Sequence, residues 1–391
     1  MSHGVKAAES AARPAWSASR LPWWRLAVGV PLGLYVITRL TQLAFVVAMA
    51  PADGRSLIDR LMVWDAGWFT RVAEDGYETG YSYDAEGRLT GNGLAFFPVY
   101  PLLIRLFSAL PWMTPQAAAL TVSWIAGGLA AVLLSLLGTE LYSGRAGYAL
   151  AVLFGAQPMS VVLSMGYSEA IFCAFVVAAL LALRREAWLV AGCCALLASL
   201  TRPTGMALAA AIVVYAAVRV WRRDVKPGWR VMAGTALAVV GAPSYLLWVG
   251  LRVGDPGAWF VIQEVGWGTH WDYGASTFRF LRSAVTGTDW VPVSVAVILV
   301  AAVVALLAGL SERVWLPLSA YGVLAFAMAV GSAGYYHSRP RMLVPVLLIL
   351  VPFAIVLGRC RTRTAVAVLV GITALGTWYG AYMITVWPFT I

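Results

Sequence analysis

The sequence predicts an all-α polytopic membrane protein with about eleven transmembrane helices and further helices in an outer loop. Of its 391 residues, 61% are hydrophobic and only 12% are charged, and the mean hydropathy is +0.79. Apolar runs of about 18 residues recur along the chain, which a soluble core does not require. No polar stretch is long enough for a soluble domain. We therefore expect a cytoplasmic tail at residues 1–25 and one transmembrane domain at residues 26–391.

The apolar runs divide the chain into the candidate spans. These lie near residues 26–50, 117–140, 147–165, 168–183, 187–201, 206–220, 231–252, 290–310, 314–332, 341–358 and 364–387. The first run is too long for the apolar part of a cleaved signal peptide, so we expect it to be retained as a span.

One further apolar stretch, residues 94–111, decides the orientation of the chain. It is marginal in length, contains Pro98 and Pro101 near its start, and carries Arg105 near its middle. If it does not cross, and the N-terminus is cytoplasmic, the basic loops at 142–146, 184–186, 221–230, 311–313 and 359–363 all lie inside, as the positive-inside rule requires. We therefore expect residues 94–111 to be re-entrant or interfacial and the C-terminus to be extracytoplasmic.

This orientation collects the unusual polar residues on the outer side of a cell membrane. Two large outer loops are expected, at 51–116 and 253–289, and shorter polar clusters lie at 165–170, 200–205 and 334–341. Polar residues that are costly within a membrane protein commonly mark a functional site. We therefore expect the active site at the extracytoplasmic face.

Asp65 is the first candidate, in a segment 57–77 that is typical of an amphipathic helix ended by Gly76. On such a helix Asp65 shares a face with apolar residues such as Leu61, Trp68 and Phe69. One interpretation is a carboxylate that simply points to water. The other is a general base facing a cleft, which burial would make stronger and a paired arginine weaker.

Glu169 and Arg202 follow at predicted outer ends of spans. Glu169 stands after Ser168, so it could belong to a capped helix start, and Arg202, before Pro203, could extend to the membrane surface. Arginine is also the side chain best shaped to hold a phosphate with two parallel hydrogen bonds.

The segment 334–341 concentrates aromatic and basic groups at the outer end of a span; these are Tyr336, His337, Arg339 and Arg341. They suit either an anionic substrate or lipid headgroups. Trp64 and Trp68 are further candidates beside Asp65. Arg39, inside the first span, is expected to pair with an acid or to line a polar cavity.

Several motifs and functions are excluded. The net charge of +10 comes from basic residues scattered in short loops, so we expect membrane lipids and no nucleic acid as partners. The chain has no Asp-x-Asp motif, no phosphate-binding loop of the Gly-x-x-x-x-Gly-Lys type and no cluster at metal-ligand spacing. We therefore predict neither a metal nor a cofactor.

Five pieces of the sequence carry a family resemblance. They are "WDAGWFTRVAEDGY" at 64–77, "AFFPVYPLLIR" at 95–105, "PMSVVLSMGYSEAIF" at 158–172, "LASLTRPTG" at 197–205 and "HSRPRMLVPVLL" at 337–348. In these pieces and their order the chain resembles the PIG-V-type mannosyltransferases of the GT-C superfamily of integral-membrane glycosyltransferases. The resemblance implies a GT-C-like fold.

The resemblance also implies a reaction. The donor would be a polyprenyl-phosphate-linked sugar, most simply mannose, transferred with inversion to an extracytoplasmic lipid, glycan or protein acceptor. Asp65 matches the aspartate held to be the catalytic base, and Arg202, Arg339 or Arg341 would stabilise the leaving phosphate. Eukaryotic relatives tend to have histidine where this chain has Trp68, and their acceptor, the GPI anchor, is not carried over to this chain.

Three alternatives stay open at this point. A GT-C enzyme could transfer another sugar, such as arabinose or glucose. A lipid or sugar transporter or flippase could use Arg39, Glu169 and Arg202 along a pathway, although transporters usually place such groups at mid-membrane. A non-catalytic subunit of a glycosylation complex would not need Asp65.

Overall fold

The structure, a computed structural model, describes residues 25–312 and 314–390. The predicted tail at residues 1–25 lies outside this part of the chain, apart from Arg25. The described residues are predominantly helical and include one short antiparallel hairpin, β1 (Ser82–Tyr83) and β2 (Leu89–Thr90).

The helices overlap the predicted spans, although one helix ends at Ala156 whereas its span was predicted to reach residue 165. Those that match them are α1 (Val30–Met49), α5 (Pro115–Leu141), α6 (Gly144–Ala156), α7 (Glu169–Arg184), α8 (Trp188–Ser199), α9 (Gly205–Trp221), α10 (Trp229–Val253), α13 (Trp290–Ser311), α14 (Leu316–Gly331), the broken pair α15 (Arg339–Met342) and α16 (Val351–Arg359), and α17 (Thr362–Thr385). The segments predicted to be outer loops, called the outer segments below, contain α2 (Leu57–Leu61), α3 (Asp65–Asp75), α4 (Val99–Ser108), α11 (Ala258–Trp267) and α12 (Ala275–Thr286).

Length and apolarity support a multi-pass membrane protein. Among the described residues, five helices are long and apolar enough to cross a membrane, and they lie at Arg25–Met49, Pro115–Leu141, Trp229–Val253, Trp290–Ser311 and Thr362–Thr385. The segments Tyr336–Met342 and Leu347–Arg359, bent by 74°, make a sixth if they form one span. The other predicted spans are shorter helices, so the membrane class is confirmed and the number eleven stays a prediction.

The predicted helix at 57–77 is two helices, and this corrects the position of Asp65. Trp64 interrupts it with a backbone φ of 55°, a conformation that L-residues seldom adopt. Asp65 is therefore the first residue of α3, and it does not share a helix with Leu61. The predicted end of α3 at Gly76 is confirmed, since Gly76 has a φ of 84° and its N–H donates to the carbonyl of Val72.

The apolar face of α3 packs on the stretch 94–111, where α4 is a short amphipathic helix. Phe69 contacts Phe96 and Tyr100 edge to face, with ring centroids 4.9 Å apart in both pairs. The hydroxyl of buried Tyr100 donates to the carbonyl of Ala119 on α5 over 2.9 Å. These contacts join α3 to the spans and fix where Asp65 lies.

The two large outer segments are tied to each other. The backbones at Gly91 and Gly266 approach so closely that a Cβ added to Gly91 would lie 2.7 Å from the Cα of Gly266. Nearby, Tyr81 donates a hydrogen bond to Asp255, and Arg252 donates to the carbonyl of Tyr77 over 2.8 Å. The first outer loop and α11 therefore form one wall.

Among the described residues Arg39 makes no ion pair with an acid, contrary to one expectation, and it does not line the cavity described below. It is completely buried on α1, and its guanidinium donates to the carbonyls of Gly155 and Ser160 and to the hydroxyls of Ser160 and Ser164. These acceptors lie where α6 ends and irregular backbone begins. Arg39 therefore donates hydrogen bonds to backbone carbonyls at and beyond the end of a helix, where regular helical hydrogen bonding stops.

Candidate active site

A cavity of about 230 Å³ lies where both outer segments meet the ends of α8, α14 and the start of α15. Four of the predicted site residues line it, namely Asp65, Arg202, Arg339 and Arg341. Apolar side chains from the outer segments and from α14 cover much of the remaining wall; they include Phe96, Phe97, Trp259, Ala325 and Met328. The cavity therefore combines a charged end with an apolar lining, as ligand sites commonly do.

The charged end is a chain of two carboxylates and two guanidinium groups that alternate. The Oδ2 atom of Asp65 lies 2.8 Å from Nη2 of Arg341. The Oε1 atom of Glu169 lies 3.3 Å from Nε of Arg341 and 2.8 Å from Nη1 of Arg202. Each carboxylate thus contacts at least one cation, which compensates for the loss of water around these charges.

Burial differs along this chain of charges. The side chains of Asp65 and Arg202 are 14% and 12% exposed, whereas those of Arg341 and Glu169 are 8% and 1% exposed. Glu169 does not line the cavity, and it lies behind the two arginines. A substrate in the cavity can therefore contact Asp65 and Arg202, while direct contact with Glu169 is not favoured by this geometry.

Two helix starts place the carboxylates. Asp65 and Glu169 are the first residues of α3 and α7, where the positive end of the helix dipole favours a negative charge. The loop before α7 is joined to the break before α3, because the N–H of Gly166 donates to the carbonyl of Leu61 and Tyr167 donates to that of Val63. This joining brings the two starts together.

Contrary to expectation, Ser168 does not cap α7 and instead contacts Arg202. Ser168 precedes α7 but makes no side-chain cap, and its hydroxyl accepts a hydrogen bond from Nη1 of Arg202 over 3.0 Å. Nη2 of Arg202 contacts the sulfur of Met342 at 3.3 Å, and a thioether is a weak acceptor. Its buried Nε has no hydrogen-bond partner among the described residues. Because Arg202 lines the cavity and its side chain is 12% exposed, its guanidinium can contact an anion there.

Arg339 is used differently from Arg202. Its guanidinium donates to the carbonyls of Ala329 and Ser332 at the end of α14, and to the hydroxyl of Ser276 on α12. Burial would raise the pKa of nearby Asp272, but hydrogen bonds from Ser276 and Gly274 and the charge of Arg339 hold it below its ordinary value. Arg339 thus closes a helix end as it lines the cavity.

The four aromatic candidates lie outside the cavity lining. The ring of Tyr336 stacks on Phe280, with centroids 4.6 Å apart. His337 is buried among aromatic rings, and neither ring nitrogen has a hydrogen-bond partner among the described residues. Trp68 stacks on Phe96 and contacts Arg71, and Trp64 forms the break before α3. Trp68 therefore supports the wall of the cavity through Phe96.

The sequence did not point to α11 as part of the site. Three of its residues line the cavity, namely Trp259, Gln263 and Trp267, and Gln263 and Trp259 both donate to the carbonyl of Ala95. Their spacing of four residues within the outer loop 253–289 indicates one face of a helix, and this signal could have identified them.

Comparison with solved structures shows the class of the fold. The chain is similar to ArnT from Cupriavidus metallidurans bound to undecaprenyl phosphate, with a TM-score of 0.52 and 17% identity, over 87% of this chain and 62% of that one. It is also similar to the oligosaccharyltransferase AglB from Archaeoglobus fulgidus in complex with an inhibitory peptide and a dolichol-phosphate, with a TM-score of 0.53 and 16% identity, over 91% of this chain and 55% of that one. The predicted GT-C-like fold is confirmed.

Comparison of sequences finds similarity to one family model and to curated relatives. Residues 35–221 match the family model described as Mannosyltransferase (PIG-V), so the predicted resemblance is confirmed over that range. Over 200 residues the chain is 30% identical to GPI alpha-1,6-mannosyltransferase 2 of Cricetulus griseus, covering 47% of this chain and 38% of that protein. The rat protein of the same name is 34% identical over 127 residues, 30% of this chain and 24% of that protein. The chain thus spans less than two fifths of the length of these relatives.

Proposed function

We propose that the chain is an inverting glycosyltransferase that takes mannose from a polyprenyl phosphate and transfers it to an extracytoplasmic acceptor. The PIG-V region and the named GPI mannosyltransferases support the choice of mannose. Undecaprenyl phosphate and dolichol-phosphate in the similar structures support a lipid phosphate as the carrier. The observation that carries the proposal is Asp65, exposed to a cavity that also contains Arg202 and Arg341.

Asp65 would be the general base. Arg341 contacts its Oδ2 atom, and the acceptor hydroxyl would approach Oδ1 and donate a hydrogen bond to it. As the hydroxyl oxygen attacks the anomeric carbon, its proton passes to Asp65. Attack from the face opposite the phosphate inverts the anomeric configuration, and the bond between carbon and phosphate oxygen breaks as the new glycosidic bond forms.

Arg202 would stabilise the leaving phosphate. Negative charge increases on the phosphate as its bond to the sugar breaks, and a guanidinium in a partly buried site stabilises that charge more in the transition state than in the ground state. Of the three arginines that line the cavity, Arg202 has the most exposed side chain. Arg339 and Arg341, which donate to carbonyls or contact carboxylates, would contribute positive potential nearby.

The apolar wall would accommodate the first part of the polyprenyl chain. Phe97, Trp259 and Met328 line the cavity beside its charged end. Burying isoprenoid surface against such side chains contributes about 25 cal/mol per Å². The same wall would exclude water from the reacting phosphate, which favours transfer over hydrolysis.

The test is transfer of label from radiolabelled polyprenyl-phosphate-mannose in membranes that contain the protein. Wild type should move label into a lipid, glycan or protein fraction, and Asp65→Asn should lower the rate by about 100-fold or more, because a general base contributes about that factor. Asp75→Asn, at the exposed far end of the same helix, is the matched control and should keep wild-type activity.

Three other outcomes are decisive. Undiminished transfer by Asp65→Asn overturns the assignment of the base. Transfer only from polyprenyl-phosphate arabinose or glucose changes the sugar and keeps the mechanism. No transfer from any of these donors overturns the proposed function and leaves a transporter, flippase or non-catalytic subunit.

A further inference from the structure

Glu169 occupies a position that binding of substrate does not explain. Its side chain is 1% exposed, it is absent from the cavity lining, and its Oε1 atom contacts two different arginines. A buried carboxylate shared between two guanidinium groups is costly to form and fixes the positions of both. Glu169 therefore affects the cavity through those two arginines.

Of the two arginines, Arg341 connects Glu169 to the proposed base. Arg341 contacts Asp65 through Nη2 and Glu169 through Nε, so one guanidinium serves two carboxylates. The plane of this guanidinium also lies over the ring of Tyr167, 5.0 Å from its centroid. Arg341 is thereby held from two sides, and its charge is divided between Asp65 and Glu169.

We propose that Glu169 is a positioning residue that shares Arg341 with Asp65, and so divides a positive charge that would otherwise act on Asp65 alone. Its effect on the rate rests on the proposed function, but its effect on Asp65 does not. A carboxylate paired with an arginine alone would hold protons weakly. The second carboxylate offsets part of that influence.

The other charged and titratable groups around this pair support the same balance. Those that interact with Glu169 or Asp65, on the same or on neighbouring elements, are Tyr100, Tyr167, Cys173, Arg202 and Arg341. The two tyrosines and the cysteine are neutral at neutral pH by their ordinary chemistry. The local charge is therefore set by two arginines and two carboxylates, and removing Glu169 leaves one positive charge in excess.

The excess charge predicts a shift of known sign. In Glu169→Gln, Arg341 no longer shares its charge with a second carboxylate, so Asp65 loses its proton at lower pH than in wild type. The acidic limb of the rate profile should then move to lower pH by about one pH unit. At neutral pH the rate should fall, because the base binds the acceptor proton less strongly.

The experiment measures the protonation of Asp65 directly as well as turnover. Dicyclohexylcarbodiimide modifies protonated carboxyl groups, so the modified fraction of the peptide that carries Asp65, quantified by mass spectrometry across pH, reports its titration. Glu169→Gln should shift this curve to lower pH, and Glu169→Asp, with the charge retained but withdrawn, should lie between. Glu140→Gln is the matched control, because Glu140 pairs with Arg185 outside the cavity.

Each outcome decides between the two proposals. A titration curve of Asp65 that Glu169→Gln leaves unchanged overturns the positioning role. If Glu169→Gln fails to fold, Glu169→Asp decides by the same criterion, since an unshifted curve overturns the role again. A shifted curve in a protein that transfers no sugar keeps the positioning role and overturns the proposed function.

Discussion

The carboxylate of Asp65 and the guanidinium of Arg341 meet at 2.8 Å on the wall of the cavity, although they come from opposite ends of the chain. Asp65 begins α3 in the first outer segment, and Arg341 lies in the short helix α15 near the last spans. Both side chains are largely buried. The site is therefore assembled only when the two ends of the chain fold against each other.

This pairing predicts the effect of Arg341→Lys. A single ammonium group cannot reproduce contacts that a planar guanidinium makes with two carboxylates. We expect a kcat for mannose transfer reduced by about tenfold or more, with the protein still folded. Arg185→Lys is the control, since Arg185 contacts Glu140 through two nitrogens outside the cavity and should keep the wild-type kcat. An active Arg341→Lys enzyme would contradict a role for guanidinium geometry.

Substitution of Arg202 should chiefly lower kcat, whereas substitution of Arg339 should chiefly lower thermal stability. Arg202→Lys should lower kcat by about 100-fold, the scale observed when one donor to a developing negative charge is removed, with little change in thermal stability. Arg339→Lys should chiefly lower the melting temperature, because Arg339 donates to carbonyls at the end of α14. Measuring kcat and the melting temperature of both variants tests the distinction, which fails if Arg202→Lys retains full kcat.

The close approach of Gly91 and Gly266 predicts that their contact is needed to hold the wall. A side chain at Gly91 would lie 2.7 Å from the Cα atom of Gly266, and backbone cannot yield as a flexible side chain can. We expect Gly91→Val to increase proteolysis of the outer segments and to lower kcat/KM. Gly80→Ala, on the same hairpin with free space around it, should change neither.

The hydrogen bond between Tyr81 and Asp255 predicts how stability varies with pH. The hydrogen bond from Tyr81 holds the pKa of Asp255 below its ordinary value, so its stabilisation is complete above about pH 4 and is lost as the pH falls further. Burial and the same bond raise the pKa of Tyr81 to about 12, so its contribution is complete below about pH 10 and is lost as the pH rises from there through about 12.

Thermal unfolding across pH measures this contribution. Asp255→Asn should remove part of the fall in melting temperature between about pH 5 and pH 3. Asp75→Asn, at an exposed position outside this contact, should leave the wild-type dependence. An Asp255→Asn variant that matches wild type at every pH would show that the bond does not stabilise the fold.

The orientation of the chain can be measured by labelling single cysteines. In a variant without the four native cysteines, Arg222→Cys should react with an impermeant maleimide only after the cytoplasmic face is opened. Tyr273→Cys, on an outer segment and 89% exposed, should react in intact cells. The reverse pattern would invert the predicted orientation.

The apolar runs predicted most of the fold, because each span must satisfy its own backbone as a helix. Where the chain is irregular the predictions weakened. No Gly or Pro at the break at Trp64 predicts it from the sequence, and the break is fixed by contacts with the loop before α7. The bend of 74° before α16 differs, because Pro345 lies in the break between the two segments and a proline inside a helix removes a backbone donor.

The sequence identified the charged residues of the candidate site, but it did not show how they pair with one another. Charged residues in an apolar chain identified Asp65, Glu169, Arg202 and Arg341, since each is too costly to place without a partner. Their pairing was not predictable, because it depends on which helix starts meet in three dimensions. Tyr336 and His337 were predicted from the same segment as Arg339 and Arg341, but their side chains lie outside the cavity lining.

Because of the hydrogen bonds that Arg39 donates, lysine is a poor substitute at this position. Within a bilayer, irregular backbone has no water to bind, and the guanidinium of Arg39 takes the place of that water for the carbonyls of Gly155 and Ser160. Five fixed donors on a planar group can serve several acceptors, whereas an ammonium has three. In effect, one side chain acts as an internal solvent for the bend that lets α7 begin beside α3.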